Sequence, residues 1–111
     1  MSTRCHVIVQ RTENGEMKKH YIYRHYDGYP EGAGKDLTSF LRENAEEFIK
    51  SGEPLTTICK KLEDYDSRFY FEDCCIHGDE EYLYTVDFDN RTLLGERINF
   101  GNEGIVLDEP F

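Results

Sequence analysis

The spacing of apolar residues changes twice along this chain, from a strand period to a helix period and back. Arg4 to Arg11 (RCHVIVQR) is rich in β-branched residues and predicts a strand. Asn14-Gly15 then stands at the centre of a short polar run. That dipeptide is the strongest local hairpin signal, because a type I′ turn needs positive φ twice. Lys18 to Tyr26 (KKHYIYRHY) is the expected returning strand. The stretch from Asp27 to Gly34 (DGYPEGAG) breaks regular structure.

Lys35 to Lys50 then shows a helical stripe through Leu37, Phe40, Leu41, Ala45, Phe48 and Ile49. Ser51-Gly52 is a fitting stop. Pro54 suits the first turn of a second helix, where Leu55, Ile58, Cys59 and Leu62 repeat the pattern. From Arg68 the period returns to two. Strands are expected over Arg68–Ile76, Glu81–Asp89 and Thr92–Phe100, with turns at His77-Gly78-Asp79 and Asp89-Asn90-Arg91. Tyr82, Tyr84, Val86 and Phe88 share one face of the second of these, and Leu94, Ile98 and Phe100 one face of the third. The acidic tail, residues 101–111, is expected to be loosely held. The order β-β-α-α-β-β-β predicts an α+β fold in a single domain, residues 1–111. Its antiparallel sheet would be covered on one face by two helices.

At 111 residues one domain fits and two do not. The net charge of −10 is unevenly spread. Residues 1–62 balance to +1, whereas residues 63–111 carry three bases against fourteen acids. That half cannot neutralise phosphates, so direct nucleic-acid binding and an anionic membrane surface are excluded as expectations. A basic protein partner, or mimicry of nucleic-acid charge, stays open beside a plain solvated acidic surface. No apolar run approaches a membrane span, and Met1 to Gln10 carries no signal-peptide core. Cys5, Cys59, Cys74 and Cys75 therefore read as reduced cytoplasmic thiols, since vicinal Cys74-Cys75 bridge poorly. His20 and His25 lie on opposite strand faces, so no metal and no cofactor are expected.

Two familiar motifs fail. Gly32-Ala33-Gly34-Lys35 lacks the glycine and the Ser/Thr of a phosphate loop, having Tyr29 and Asp36 there. Asp87 to Arg91 lacks the fifth-position oxygen and sixth-position glycine of a calcium loop. The surviving constellation is Tyr23 to Pro30 (YRHYDGYP), which packs arginine, histidine, aspartate and three tyrosines at a strand end. If Asn14 and Gly15 form the turn, Val9 faces His20, Cys5 faces Arg24 and Arg4 faces His25. Arg4, His25 and Asp27 then share a sheet face, with Asp27 held ionised beside Arg4. This register carries a defect, opposing Glu13 to Glu16 and Arg11 to Lys18. Open N–H groups at the start of the Lys35 helix, together with Lys35, would suit a carboxylate or phosphate, and Tyr26 or Tyr29 a ring. The structural alternative is that Asp27 caps the turn, pairs with Arg4, and Tyr29-Pro30 covers a core edge.

Met1-Ser2-Thr3-Arg4 with a β-rich run, then Tyr23-Arg24-His25-Tyr26-Asp27-Gly28-Tyr29-Pro30 and a glycine-containing lead into a helix, resembles a family of small bacterial and phage-encoded proteins. The likeness spans residues 1–45 and implies a recurring loop in a bacterial or phage cytoplasm, with no reaction attached. Three functions follow as expectations. The first is a non-enzymatic binding protein using Arg4, His25, Asp27, Tyr29 and Lys35 for an anionic small molecule or peptide. The second is an acidic inhibitor or adaptor for a basic protein. The third is a small enzyme with a His25/Asp27 acid/base pair, which lacks an activated nucleophile.

Overall fold

A computed structural model describes residues 3–72, 80–98 and 103–111. Strands β1 (Cys5–Glu13) and β2 (Glu16–Arg24) form the expected hairpin. Its register is the one the Asn-Gly turn implies, pairing Cys5 with Arg24, Val9 with His20 and Glu13 with Glu16. Asn14 and Gly15 both have positive φ, 52° and 82°. The like-charged pairs are tolerated because each member has another partner. Arg11 reaches the Glu13 carboxylate at 3.2 Å and the Glu53 carbonyl. Glu13 in turn accepts the Leu55 N–H at 3.1 Å, and so caps the second helix from the hairpin. That bond holds the Glu13 carboxyl below its usual range.

Helices α1 (Lys35–Ser51) and α2 (Leu55–Tyr65) match the two stripes. Gly52 ends α1 at φ 69°, with its N–H on the Phe48 carbonyl. Both helices lie on one face of the sheet. Leu37, Phe40, Leu41, Phe48, Ile58 and Leu62 pack there against Val7, Val9, Ile22, Tyr84, Val86 and Leu93. Tyr84, Val86 and Phe88 thus belong to the core, and no aromatic stripe of theirs faces solvent.

The sheet departs from the expected one. β3 (Phe69–Glu72) pairs antiparallel with β2, but the chain then crosses to the far side of β1. There β4 (Tyr82–Asp87) runs parallel to β1, so the sheet is mixed and not antiparallel. The order is β3-β2-β1-β4-β5-β6, with β5 at Thr92–Arg97 and β6 at Gly104–Pro110. β6 corrects the expectation of a loose tail: Leu107 and Phe111 pack on the core, and the Phe111 N–H bonds the Arg91 carbonyl at 2.9 Å. On β5 it is Leu93 and Gly95 that pair with the core residues Val86 and Tyr84, so Leu94 lies on the other face. The His77-Gly78-Asp79 turn, Cys74-Cys75 and Phe100 lie outside the described residues. No helix among the described residues is long and apolar enough to cross a membrane.

Candidate functional site

The Asp27–Gly34 stretch, expected to be irregular, closes into a π-helical turn over Pro30–Gly34 that runs straight into α1. The glycines explain the local sequence. A Cβ on Gly28 would sit 2.8–2.9 Å from the Arg4 backbone and from Cys5. A Cβ on Gly32 would meet the Asp27 carbonyl at 2.3 Å. That closeness holds the loop against the segment leading into β1, where the Gly28 N–H bonds the Thr3 carbonyl at 2.9 Å, and the loop closes on itself where the Ala33 N–H bonds the Asp27 carbonyl at 2.8 Å. The wholly buried Tyr84 hydroxyl donates to the Gly28 carbonyl at 2.7 Å. Asp27 itself has φ 54°, a left-handed conformation that Asp and Asn tolerate better than other side chains.

The turn also removes the expected anion site at the start of α1. The Lys35 N–H is bonded to the carbonyls of Gly32 and Pro30, so the helical hydrogen bonding begins upstream of it. Lys35 opens α1 with an exposed side chain.

Four of the five candidate residues, all but Lys35, fall into two groups. On the sheet face away from the helices, Arg4 Nε donates to His25 Nδ1 at 3.2 Å, and the Tyr23 hydroxyl lies at the same distance from that nitrogen. Asp27 is elsewhere. Its carboxylate accepts from the Tyr29 hydroxyl at 3.2 Å and from Arg68 Nη1 at 3.3 Å. The expected Asp27–Arg4 pair is therefore replaced by Asp27–Arg68, because Asp27 lies beyond the end of β2 and its left-handed backbone ends the strand alternation. The His25/Asp27 acid/base pair is not assembled either: each side chain bonds other groups.

A second set of residues, not anticipated from the sequence, surrounds Asp27. Arg68 bridges Asp27, Asp36 at 3.0 Å and Asp66 at 2.8 Å. Arg24 is wholly buried and bonds Asp36 at 2.8 Å and the Tyr26 carbonyl at 2.7 Å. Its guanidinium stands 4.8 Å from the Phe69 ring centre. The hydrogen bond from Arg68 holds the Asp66 carboxyl below its usual range. Two guanidiniums thus meet three carboxylates from four parts of the chain. One signal was available: the hairpin register puts Arg24 opposite Cys5, on the parity of the apolar Val7 and Ile22. At the same sheet end His6 and Glu80 are wholly buried, their side chains 3.8 Å apart.

Above this lattice Tyr26 is 57% exposed and Tyr29 38%. Elsewhere, a groove of about 320 Å³ between β2 and α2 is lined by His20, Thr56, Cys59, Lys60, Glu63 and Asp64. Burial pushes the Cys59 thiol up to about 12, which leaves it a poor nucleophile. Among the described residues no three His, Cys, Asp or Glu side chains gather to hold a metal ion. Compared with known protein families, with curated proteins and with solved structures, the chain finds no match.

Proposed function

We propose that this protein is a non-enzymatic binding protein that presents the loop after β2 to a protein or peptide partner bearing basic side chains. The observation that carries this reading is the pair of exposed tyrosines, Tyr26 and Tyr29, on a loop whose backbone is tied at Gly28 to Thr3, just before β1, and to the Tyr84 hydroxyl. Tyrosines on a rigid support give contact area at little entropic cost. The charge beside them favours a cation. Arg24 and Arg68 against Asp27, Asp36 and Asp66 leave a net negative lattice, on a chain of net charge −10. An anion would have to displace the carboxylates that Arg68 already holds. The reading keeps the expected location, the Asp27-Gly28-Tyr29-Pro30 loop, and joins it to the basic partner first expected for the acidic half. The setting we propose is the bacterial or phage cytoplasm that the resemblance implies.

The test is affinity capture from cells that make the protein, comparing wild type with Tyr26→Ala/Tyr29→Ala. A basic polypeptide that is captured by wild type, lost from the double variant and released by salt is the expected result. Equal capture by a normally folded double variant would refute it.

A further inference from the structure

We infer that His25 is a proton-operated latch at the base of the loop after β2: neutral, it holds Arg4; protonated, it releases Arg4 and donates from Nδ1 to the Tyr23 hydroxyl. The latch is a property of the free protein and does not depend on the partner proposed above. Arg4 Nε stands 3.2 Å from His25 Nδ1. A guanidinium can only donate, so that nitrogen carries a lone pair. His25 is therefore held as the neutral imidazole with its hydrogen on Nε2, a tautomer set by the bond that Nδ1 receives.

Adding a proton inverts this contact. Nδ1 becomes a donor, so two donors and two positive charges then face each other across 3.2 Å. The Tyr23 hydroxyl makes the other state possible. It also lies 3.2 Å from Nδ1, and Tyr23 is only 4% exposed, so a fixed oxygen is already within reach of the new N–H. The two hydrogen-bonded arrangements differ by one proton, on the side chain whose ordinary titration falls between about pH 5 and 8. Among the described residues, the groups facing the imidazole are Arg4 before β1, Tyr23 on β2 and Tyr26 in the loop. The Tyr26 and His25 ring centres are 4.7 Å apart at 81°. Tyr70 of β3 packs on Tyr23, with ring centres 5.5 Å apart. The neighbouring acids are engaged elsewhere: Asp27 with Tyr29 and Arg68, Glu80 beside His6, and Glu81 with Arg97 at 3.0 Å. Tyr26 is the more exposed tyrosine of the loop, so protonation sets a positive charge against the ring that the loop presents.

The test is nitrogen-15 NMR of the whole protein from about pH 8 down to about pH 5. It reads the His25 ring nitrogens, the Arg4 Nε–H and the Tyr26 ring. At the upper end the expected signature is a bare Nδ1 and a hydrogen on Nε2. Through the His25 transition, water exchange of the Arg4 Nε–H should quicken at least about fivefold relative to that of the exposed Arg42, as the loss of one hydrogen bond gives. The Tyr26 ring signals should shift with the same midpoint. His25→Phe and His25→Gln should both lack these responses. A hydrogen on Nδ1 at the upper end would overturn the inference, because Arg4 would then face a donor. So would Arg4 exchange that follows Arg42 throughout, or Tyr26 shifts that persist in the two variants.

Discussion

Gly28→Ala tests whether the loop after β2 is the rigid support its contacts indicate. The added methyl would lie 2.8 Å from the Arg4 carbonyl carbon and 2.9 Å from Cys5 Cβ and its backbone nitrogen. These are backbone and near-backbone atoms of a central strand, so the loop must move. Overpacking of this kind costs about 1–3 kcal/mol. A shift also strands the buried Tyr84 hydroxyl, which bonds the Gly28 carbonyl, at about 1–3 kcal/mol more. The total is about 2–6 kcal/mol, a large share of a small domain's stability. Gly52→Ala is the internal comparison. Gly52 has φ +69° but nothing within 4 Å of a Cβ, so only backbone strain applies, about 1–2 kcal/mol. Urea unfolding followed by circular dichroism measures both, with slopes compared to confirm that only stability changed. Tyr84→Phe in the Gly28→Ala background completes a cycle, and should cost less there than in wild type because the bond is already lost. A Gly28→Ala cost no larger than that of Gly52→Ala would refute the reasoning, as would strict additivity with Tyr84→Phe.

Further outcomes follow from the same contacts. Tyr84→Phe alone should cost about 1–2 kcal/mol in urea unfolding, for loss of its bond to Gly28, with the fold retained by circular dichroism. Asp66 is held below its usual range, first by its hydrogen bond from Arg68. A depressed folded pKa gives stability that is present above the unfolded value of about 4 and lost as pH falls through the folded one. Asp66→Asn should therefore be less stable than wild type at pH 7 and lose less on acidification; parallel stability–pH curves would contradict this. Burial pushes the thiols of Cys5 and Cys59 up to about 12, so both should resist iodoacetamide in the folded protein at pH 8 and react after denaturation, as read by peptide mass. Arg24→Met should cost about 3 kcal/mol, because it removes a buried charge while Arg68 still holds Asp36 and Asp66; a change under 1 kcal/mol would show that Arg24 contributes little to stability.

What the sequence made legible was local. The two helices stand where Leu37–Phe48 and Leu55–Leu62 repeat every three or four residues, and the hairpin register follows from Asn14-Gly15. The parallel β1–β4 pair was not legible. A strand's own alternation says nothing about which distant strand it joins, and parallel pairing depends on a long crossover. β6 was hidden because Asp108, Glu109 and Pro110 disguise a strand whose inward anchors are only Leu107 and the terminal Phe111. The loop after β2 stood out for its dense chemistry, yet most of that density is structural: Gly28 and Gly32 permit close approach, and Asp27 accepts a left-handed backbone. Arg68 was missed because its partners come from the loop, from α1 and from the end of α2. Only the tertiary fold brings those positions together.

The most direct test of the central claim is a photo-crosslinking residue in place of Tyr26, with a second at Lys50 as a distant control, in cells that make the protein. The account predicts a covalent adduct to a basic polypeptide from position 26 and none from position 50, with the yield falling as salt rises in a reconstituted mixture. The same adducts from both positions, or none from position 26 in a folded protein, would contradict it.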